Sequence, residues 1–335
     1  MEQRGLGRTG LRVSALGFGC GDVGGLIVKG TPAERERAVA RAVEAGINYF
    51  DTASSYGSGE SERNLGRALK AVGVRPYVGT KFRLDPAERD LAGAIGRSLE
   101  ASLERLGMDR VDLFQLHNLV VREDGTPAPD RGLPARRVLD EVVPALAALR
   151  RQGKIRFAGI TALGDTDAVH TVIDAGVIDT AQVCLNILNP SAAITVPAGF
   201  PAQDFRRLLD RARHRRVGVI NIRVLAGGAL TGTLQRHAIA MPSVAPIASG
   251  PDYATDVEHA QRLRPLVDKG YAEDLVEASI RFSLTSDAVS TVLVGYSTLE
   301  HLEKAIAAVE RGPLPAPAID LLNGLWAAFG RGAQG

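Results

Sequence analysis

The sequence predicts an α/β fold, a closed (β/α)8 TIM barrel, from three observations. Eight short, apolar, β-rich runs alternate with helical patterns, glycine is abundant at 37 of 335 residues, and no complete dinucleotide-binding glycine motif follows an early strand. Strict alternation of strand and helix indicates a parallel sheet covered by helices. Eight such units favour closure into a barrel over an open, doubly wound sheet. We expect one domain over residues 1–335, since α/β barrels routinely reach this size.

The open sheet is the competing fold, and one stretch tests it. An open sheet would place GxGxxG after an early strand, with an acidic residue ~20 positions later. The stretch Gly17-Phe18-Gly19-Cys20-Gly21-Asp22 lacks the third glycine, and no clear helix follows it. The barrel is therefore favoured, with an N-terminal β-hairpin before it and long βα loops at its C-terminal face.

The predicted elements cover most of the chain. The strands are Ala15–Cys20, Ile47–Thr52, Tyr77–Phe82, Val111–His117, Arg156–Thr161, Thr180–Asn186, Val217–Val224 and Ser290–Gly295. Helical patterns lie near 32–45, 59–72, 86–107, 138–152, 165–175, 203–215, 254–286 (broken at Gly270) and 298–311.

Three of these helices carry start signals. Thr31-Pro32-Ala33-Glu34 and Asp85-Pro86-Ala87-Glu88 each combine a capping residue, a proline at the first helical position and a glutamate at the third. Ser297-Thr298-Leu299-Glu300 has the spacing of a capping box. Each signal predicts that a helix begins at that point.

Three stretches, 118–135, 189–201 and 232–253, are rich in Pro, Gly, Ser or Thr and resist regular assignment. Each leaves the C-terminal end of a predicted strand, which is the face where barrel enzymes carry their active sites. Loops longer than ~12–15 residues are usually functional or disordered. We expect these loops to set the choice of substrate.

Composition excludes several classes of protein. A net charge of +2 gives no reason to expect nucleic acid or an anionic membrane as a partner. The arginine-rich run 206–216 also contains Asp210 and is better explained as a solvated helix face. Two cysteines without a CxxC pair argue against a disulfide scaffold and against a zinc site, and no apolar run approaches ~18 residues. We expect a cytoplasmic protein without a metal, acting on a small molecule.

Four ionisable residues stand at or just after the C-terminal ends of consecutive predicted strands. Asp51 and Tyr56 follow from the second strand, Lys81 from the third and His117 from the fourth. In a closed barrel these strand ends converge at one opening, where catalysis is to be sought.

Together, such groups can move a proton. A lysine ammonium beside a tyrosine hydroxyl favours the phenolate, and a carboxylate keeps the lysine charged and oriented. An imidazole can donate a hydrogen bond to a carbonyl oxygen. This set suits protonation of a carbonyl oxygen while a hydride reaches its carbon, and it requires no metal.

A set of short motifs runs along the chain, namely Gly7-Arg8-Thr9-Gly10-Leu11-Arg12-Val13-Ser14, Asn48-Tyr49-Phe50-Asp51-Thr52-Ala53 with Tyr56-Gly57, Thr80-Lys81, Leu116-His117, Gly153-Lys154-Ile155-Arg156 and Leu225-Ala226-Gly227-Gly228-Ala229-Leu230-Thr231-Gly232. In order and spacing, this set resembles the aldo-keto reductases. The resemblance implies that Tyr56 is the general acid, Lys81 tunes it, Asp51 pairs with Lys81 and His117 orients the carbonyl. It also implies a bound NADP(H) or NAD(H) and a carbonyl or alcohol substrate.

Further cofactor contacts follow from the same resemblance. Thr161-Ala162 stands where the family usually has a Ser-Asn pair, Gln182 matches a family glutamine, and Arg223 is a candidate phosphate ligand or a structural ion pair. The turn with Leu225 and Gly227 could bring backbone N–H groups to a pyrophosphate. Three further residues open the last helix and offer an anion site at its N-terminus, namely Gly295, Ser297 and Thr298. Because this turn offers hydroxyls rather than a cation, with His301 and Lys304 further on, the preference between NADP(H) and NAD(H) stays open.

Two alternatives have different chemistry. A lysine at a barrel strand end can form a Schiff base, so Lys81 could serve an aldolase, although Asp51 beside it opposes the depressed pKa that this role needs. A barrel that binds the cofactor and regulates a partner is the other possibility. The four polar residues together disfavour an inert subunit.

Overall fold

A computed structural model describes residues 1–128 and 130–329 and contains twelve strands. In chain order they are β1 (Gln3–Gly5), β2 (Arg12–Ser14), β3 (Leu16–Gly19), β4 (Tyr49–Asp51), β5 (Tyr77–Phe82), β6 (Val111–Leu116), β7 (Leu119–Val121), β8 (Gly132–Pro134), β9 (Ile155–Thr161), β10 (Thr180–Cys184), β11 (Gly218–Ile222) and β12 (Val289–Gly295). The strands β3, β4, β5, β6, β9, β10, β11 and β12 close into a parallel barrel. The predicted fold and all eight predicted barrel strands are confirmed, with ends that differ from the prediction by at most two residues.

Helices connect the barrel strands. They are α1 (Leu26–Lys29), α2 (Pro32–Glu44), α3 (Glu60–Val72), α4 (Leu91–Leu106), α5 (Ala135–Arg137), α6 (Val143–Arg151), α7 (Thr166–Asp174), α8 (Leu208–His214), α9 (Tyr253–Gln261), α10 (Pro265–Asp268), α11 (Leu275–Ser283), α12 (Leu299–Glu310) and α13 (Ala316–Phe329). A π-helical turn over Val138–Val142 leads into α6. Within the described residues, no helix has the length and apolar character needed to cross a membrane.

Of the three predicted helix starts, one is confirmed, one is wrong and one is displaced by a single residue. The Thr31 capping box is present as predicted. The Asp85 signal fails because the Asp85 carboxylate accepts from the Ala87 backbone N–H at 2.8 Å, which makes a local turn. The helix instead begins after Asp90, whose carboxylate accepts from Gly93 N–H at 2.9 Å.

The third start signal is displaced by one residue. Thr298, and not Ser297, caps α12 and accepts from the His301 backbone N–H. The Ser297 hydroxyl donates to the Gly24 carbonyl at 2.7 Å instead. The pattern 254–286 breaks at Gly270, as predicted, and a further break separates α9 from α10.

The predicted N-terminal β-hairpin closes one end of the barrel. Strands β1 and β2 pair antiparallel, and Leu6, Leu11 and Val13 pack against barrel residues such as Tyr49 and Phe157. These side chains fill the barrel at the N-terminal ends of its strands. The opposite end, which we call the mouth, is surrounded by loops that follow the C-terminal ends of the strands.

The three long stretches leave the C-terminal ends of β6, β10 and β11, as predicted. The first of them contains regular structure that the sequence did not reveal, because β7 and β8 form a small parallel ladder. The other two are mainly irregular. The fold therefore places the chain's least regular segments around the mouth.

Candidate active site

The four predicted catalytic side chains meet at the mouth. Asp51 ends β4, Lys81 lies near the end of β5, His117 directly follows β6, and Tyr56 opens a short 3-10 turn after β4. The Lys81 ammonium donates to the Asp51 carboxylate, to the Thr52 carbonyl at 2.9 Å and to the Tyr56 hydroxyl at 3.4 Å. The sequence therefore identified a group of side chains that the fold brings into contact.

A strained turn delivers Tyr56 to this position. The residues after it, Gly57, Ser58 and Gly59, all have positive φ values, of 55°, 53° and 93°. A Cβ at Gly57 would also collide with the Val28 side chain. Glycine is needed here because it adopts the left-handed region without steric cost.

Asp51 is buried, and its second carboxylate oxygen has three neutral donors. The Tyr49 hydroxyl lies at 2.8 Å from Oδ2, the Gln182 amide at 2.7 Å and the Gln115 amide at 3.2 Å. Lys81 binds the other oxygen. A buried carboxylate is tolerable only when its lone pairs are satisfied in this way, and here all the donors are side chains of barrel strands.

Burial and charge set the protonation states around Asp51. Burial alone would lower the pKa of Lys81, but the Asp51 carboxylate and the Tyr56 hydroxyl outweigh it and hold that pKa above its ordinary value. Burial, reinforced by Asp51, raises the pKa of the Tyr49 hydroxyl well above its usual range. Lys81 therefore stays a cation at neutral pH, and Tyr49 stays a hydrogen-bond donor.

The pKa of His117 is shifted in the opposite direction from that of Lys81. Burial, together with the positive charges of Lys81 and Arg83, holds the pKa of His117 well below its ordinary value. Its ring meets the Tyr56 ring edge-on, with centroids 5.8 Å apart, and its Nδ1 lies 3.5 Å from the Ser55 hydroxyl. At neutral pH the imidazole is uncharged and can donate one N–H to a ligand.

Tyr49 and Gln115 are hydrogen-bond partners of Asp51 that the sequence interpretation missed. Tyr49 precedes Asp51 by two residues, so both side chains project from the same face of β4. Gln115 pairs in register with Lys81 across β5 and β6. Strand alternation could have identified Tyr49, whereas Gln115 depends on the register between strands.

Asp51, Tyr56, Lys81 and His117 form a tetrad, and all of them except Lys81 line a cavity of about 1110 Å³ across the mouth. Its lining includes seven of the eight residues predicted to bind the cofactor, namely Thr161, Gln182, Arg223, Leu225, Gly227, Gly295 and Ser297. The eighth, Thr298, does not line the cavity, because its hydroxyl caps α12. The Gln182 amide is already engaged with Asp51.

Two of these residues hold polar atoms that lack partners within the described residues. The Thr161 hydroxyl is buried without a hydrogen bond, and so is Nε of Arg223. Arg223 forms no ion pair with any described residue, and its Nη2 donates to the Ala245 carbonyl at 2.7 Å. Unsatisfied buried polar groups in a cavity are suited to a polar ligand.

The glycine turn after β11 has the open backbone that was expected. Gly227 and Gly228 have φ values of 71° and 112°, and a side chain at Gly228 would collide with Arg236. Arg236 was not predicted. Its Nη1 donates to the Gly227 carbonyl at 2.7 Å and its Nε to the Met241 carbonyl at 2.6 Å, so it joins the turn to the long loop 232–253. That loop carries no periodic pattern from which this role could have been deduced.

Comparison with known proteins agrees with this geometry. A sequence profile of the Aldo/keto reductase family matches residues 15–327. The chain belongs to the aldo-keto reductase family. It is thus an oxidoreductase that interconverts carbonyl and alcohol groups, and the resemblance seen in its motifs is confirmed.

Individual relatives of this aldo-keto reductase include enzymes with different substrates. It is 33% identical to the L-galactose dehydrogenase of Arabidopsis thaliana over 318 residues, covering 92% of this chain and 88% of that protein. It is 27% identical to the L-glyceraldehyde 3-phosphate reductase of Escherichia coli (strain K12), with coverage of 92% and 88%. A holo form of an aldo-keto reductase from Bacillus halodurans superposes with a TM-score of 0.71, at 25% identity and with coverage of 97% and 96%.

Proposed function

We propose that this aldo-keto reductase transfers a hydride between NADP(H) or NAD(H) and a carbonyl compound, with Tyr56 as the general acid and base. The observation that carries the proposal is the Lys81 ammonium, which lies between the Asp51 carboxylate and the Tyr56 hydroxyl. A cation beside a phenol stabilises the phenolate, so the hydroxyl can release a proton and regain it.

The cavity fits a nicotinamide nucleotide. The unpartnered Thr161 hydroxyl is a candidate contact for the nicotinamide carboxamide, and Arg223, with the turn at Leu225 and Gly227, for the pyrophosphate. Gly295 and Ser297 extend the lining beyond that turn. When bound in its reduced form, the nucleotide supplies the hydride that adds to the carbonyl carbon.

Side chains of the protein then orient and protonate the carbonyl oxygen of the substrate. The neutral His117 imidazole donates an N–H to the carbonyl oxygen and orients it. Tyr56 gives its proton to that oxygen as the C–H bond forms, and Lys81 stabilises the phenolate that remains. In the oxidative direction, the phenolate takes the proton of the alcohol hydroxyl. Asp51, fixed by its four donors, keeps Lys81 in place.

A Schiff-base aldolase is disfavoured by the same contacts. An imine-forming lysine must lose its proton easily. The Asp51 carboxylate holds the pKa of Lys81 above its ordinary value, so the amine stays protonated and is a poor nucleophile. Borohydride treatment in the presence of a carbonyl compound is expected to trap no adduct on Lys81.

Fluorescence titrations with NADPH and with NADH, followed by assays on a panel of aldehydes, ketones and sugars, test the proposal. We expect saturable binding of at least one nucleotide. In Tyr56→Phe, turnover is expected to fall by ~10²–10⁴-fold with nucleotide affinity unchanged, as is typical for loss of a general acid. Tyr77→Phe, on the neighbouring strand, serves as a matched control. Folded protein that binds neither nucleotide would refute the proposal.

A further inference from the structure

Four arginines line the mouth cavity, namely Arg83, Arg131, Arg223 and Arg236. Within residues 1–128 and 130–329, none of the four forms an ion pair. Some arginines elsewhere pair with carboxylates, as Arg105 does with Glu62 and Arg281 with Glu277, whereas others such as Arg67 and Arg110 form no ion pair within the described residues. The concentration of unpaired guanidinium groups around one cavity gives it an excess of positive charge.

The four arginines fall into two pairs with different surroundings. Arg223 and Arg236 donate to backbone carbonyls of the loop 232–253 and its neighbours, and they lie beside the glycine turn. The guanidinium groups of Arg83 and Arg131 are exposed and, within the described part of the chain, have no hydrogen-bond partner. We call this second pair the rim pair. It is the pair that remains free to bind a ligand.

A single buried amide holds the backbones of the rim pair together. The Asn118 side chain donates to the Leu84 carbonyl at 2.8 Å and to the Arg131 carbonyl at 3.1 Å. Its oxygen accepts from the Leu84 N–H at 2.8 Å. Asn118 is only 1% exposed, so the loop that carries Arg83 and the loop that carries Arg131 are fixed to each other beneath the surface.

The rim pair is adjacent to the reacting groups. Asn118 directly follows His117 in the chain. The backbone N–H of His117 donates to the carbonyl of Phe82 at 2.8 Å, and Phe82 directly precedes Arg83. Of the carboxylates that line the cavity, Asp51 is paired with Lys81, which leaves Asp22 as the other one. The field near His117 is therefore positive on the Arg83 side.

We propose that Arg83 and Arg131 form an oxyanion subsite beside His117, and that the preferred substrates are carbonyl compounds that also carry a carboxylate or phosphate group. A guanidinium binds both groups through paired N–H donors. The part of this inference that concerns turnover rests on the proposed function; the binding part does not.

Binding is tested without turnover. Titration calorimetry with benzoate, with phenyl phosphate and with neutral benzamide is expected to show at least one of the two anions binding ~10-fold or more tightly than benzamide. The preference is expected to disappear in Arg83→Gln/Arg131→Gln and to survive in Arg89→Gln, an exposed arginine on the β5–α4 loop that does not line the cavity. Equal affinity for anions and benzamide, or equal anion binding by the double variant, would overturn the subsite.

Turnover separates this inference from the proposed function. With the nucleotide that binds, kcat/KM for 4-formylbenzoate is expected to exceed that for its methyl ester by ~10-fold, mainly through KM, and the ratio should approach one in the double variant. Reduction of the ester as efficiently as the acid would overturn the substrate preference and leave the proposed function standing. A protein that binds the anions but reduces no carbonyl compound on the wider panel would retain the subsite and lose the proposed function.

Discussion

The interior of the mouth and its rim differ in how their charged side chains are paired and buried. Asp51 and Lys81 lie at 1% exposure, and the Asp51 carboxylate is engaged by Lys81, Tyr49, Gln115 and Gln182. Arg83 and Arg131 lie on loops, exposed and unpaired within the described residues. The difference follows the position of these residues in the fold. Strand residues hold a fully satisfied charge centre in place, while loop residues keep charge available for a ligand.

The largest effect on stability is expected from Lys81→Met, which breaks the interior pair. The Asp51 carboxylate would remain buried without its cation, and the free energy of unfolding is expected to fall by about 3–5 kcal/mol. Urea denaturation measures the change.

The Lys81→Met/Asp51→Asn double variant sharpens that measurement. Because the buried charge is then removed together with its partner, the double variant is expected to lose less than the sum of the two single changes. A Lys81→Met cost below about 1 kcal/mol would contradict the view that the interior charge depends on its cation.

A smaller loss is expected from Tyr49→Phe, which removes one neutral donor from Asp51. Hydrogen bonds to charged groups contribute about 1.5–3 kcal/mol, so unfolding free energy should fall by that amount. Turnover should also decline, because Asp51 would hold Lys81 less firmly. Tyr77→Phe on β5 is the control, since the Tyr77 hydroxyl has no partner among the described residues. Equal losses in the two variants would show that Tyr49 serves packing alone.

An acid-dependent effect is expected at His117. Its pKa is depressed in the folded protein, so below pH ~6.5 the unfolded chain binds a proton that the folded chain does not. Stability contributed by the neutral imidazole is therefore present above that pH and lost as pH falls towards the folded pKa. His117→Asn is expected to flatten the decline in unfolding free energy between pH 7 and pH 5. His214→Asn, at an exposed position on the outer helix α8, is the control for replacing a histidine, and an equal flattening in both variants would contradict the assignment to His117.

The smallest effect is expected at the rim. Because the Arg83 and Arg131 guanidinium groups have no partners in the described structure, Arg83→Gln and Arg131→Gln should each change unfolding free energy by less than about 0.5 kcal/mol. The same denaturation series used for Lys81→Met measures this. A loss above about 2 kcal/mol in either variant would mean that the rim is structural, and the contrast with the interior would fail.

Sequence periodicity predicted the barrel and the four converging residues because strand alternation and strand ends are local properties. Helix starts were less predictable, since the carboxylates of Asp85 and Asp90 compete for nearby N–H groups and only the folded chain decides between them. The contacts of Gln115 and Arg236 depend on barrel register and on a long irregular loop. The roles assigned to the tetrad and to the cofactor residues remain predictions.

The Asn118 amide has a consequence for how this enzyme can diversify. It binds only backbone atoms of Leu84 and Arg131, so the two loops stay aligned whatever side chains stand at 83 and 131. Those two positions can therefore be randomised as a small library without disturbing the alignment of the two loops or the contacts of Lys81 with Asp51 and Tyr56. For directed evolution of selectivity between charged and uncharged substrates, only the codons for residues 83 and 131 then need to be varied, with residue 118 kept as Asn.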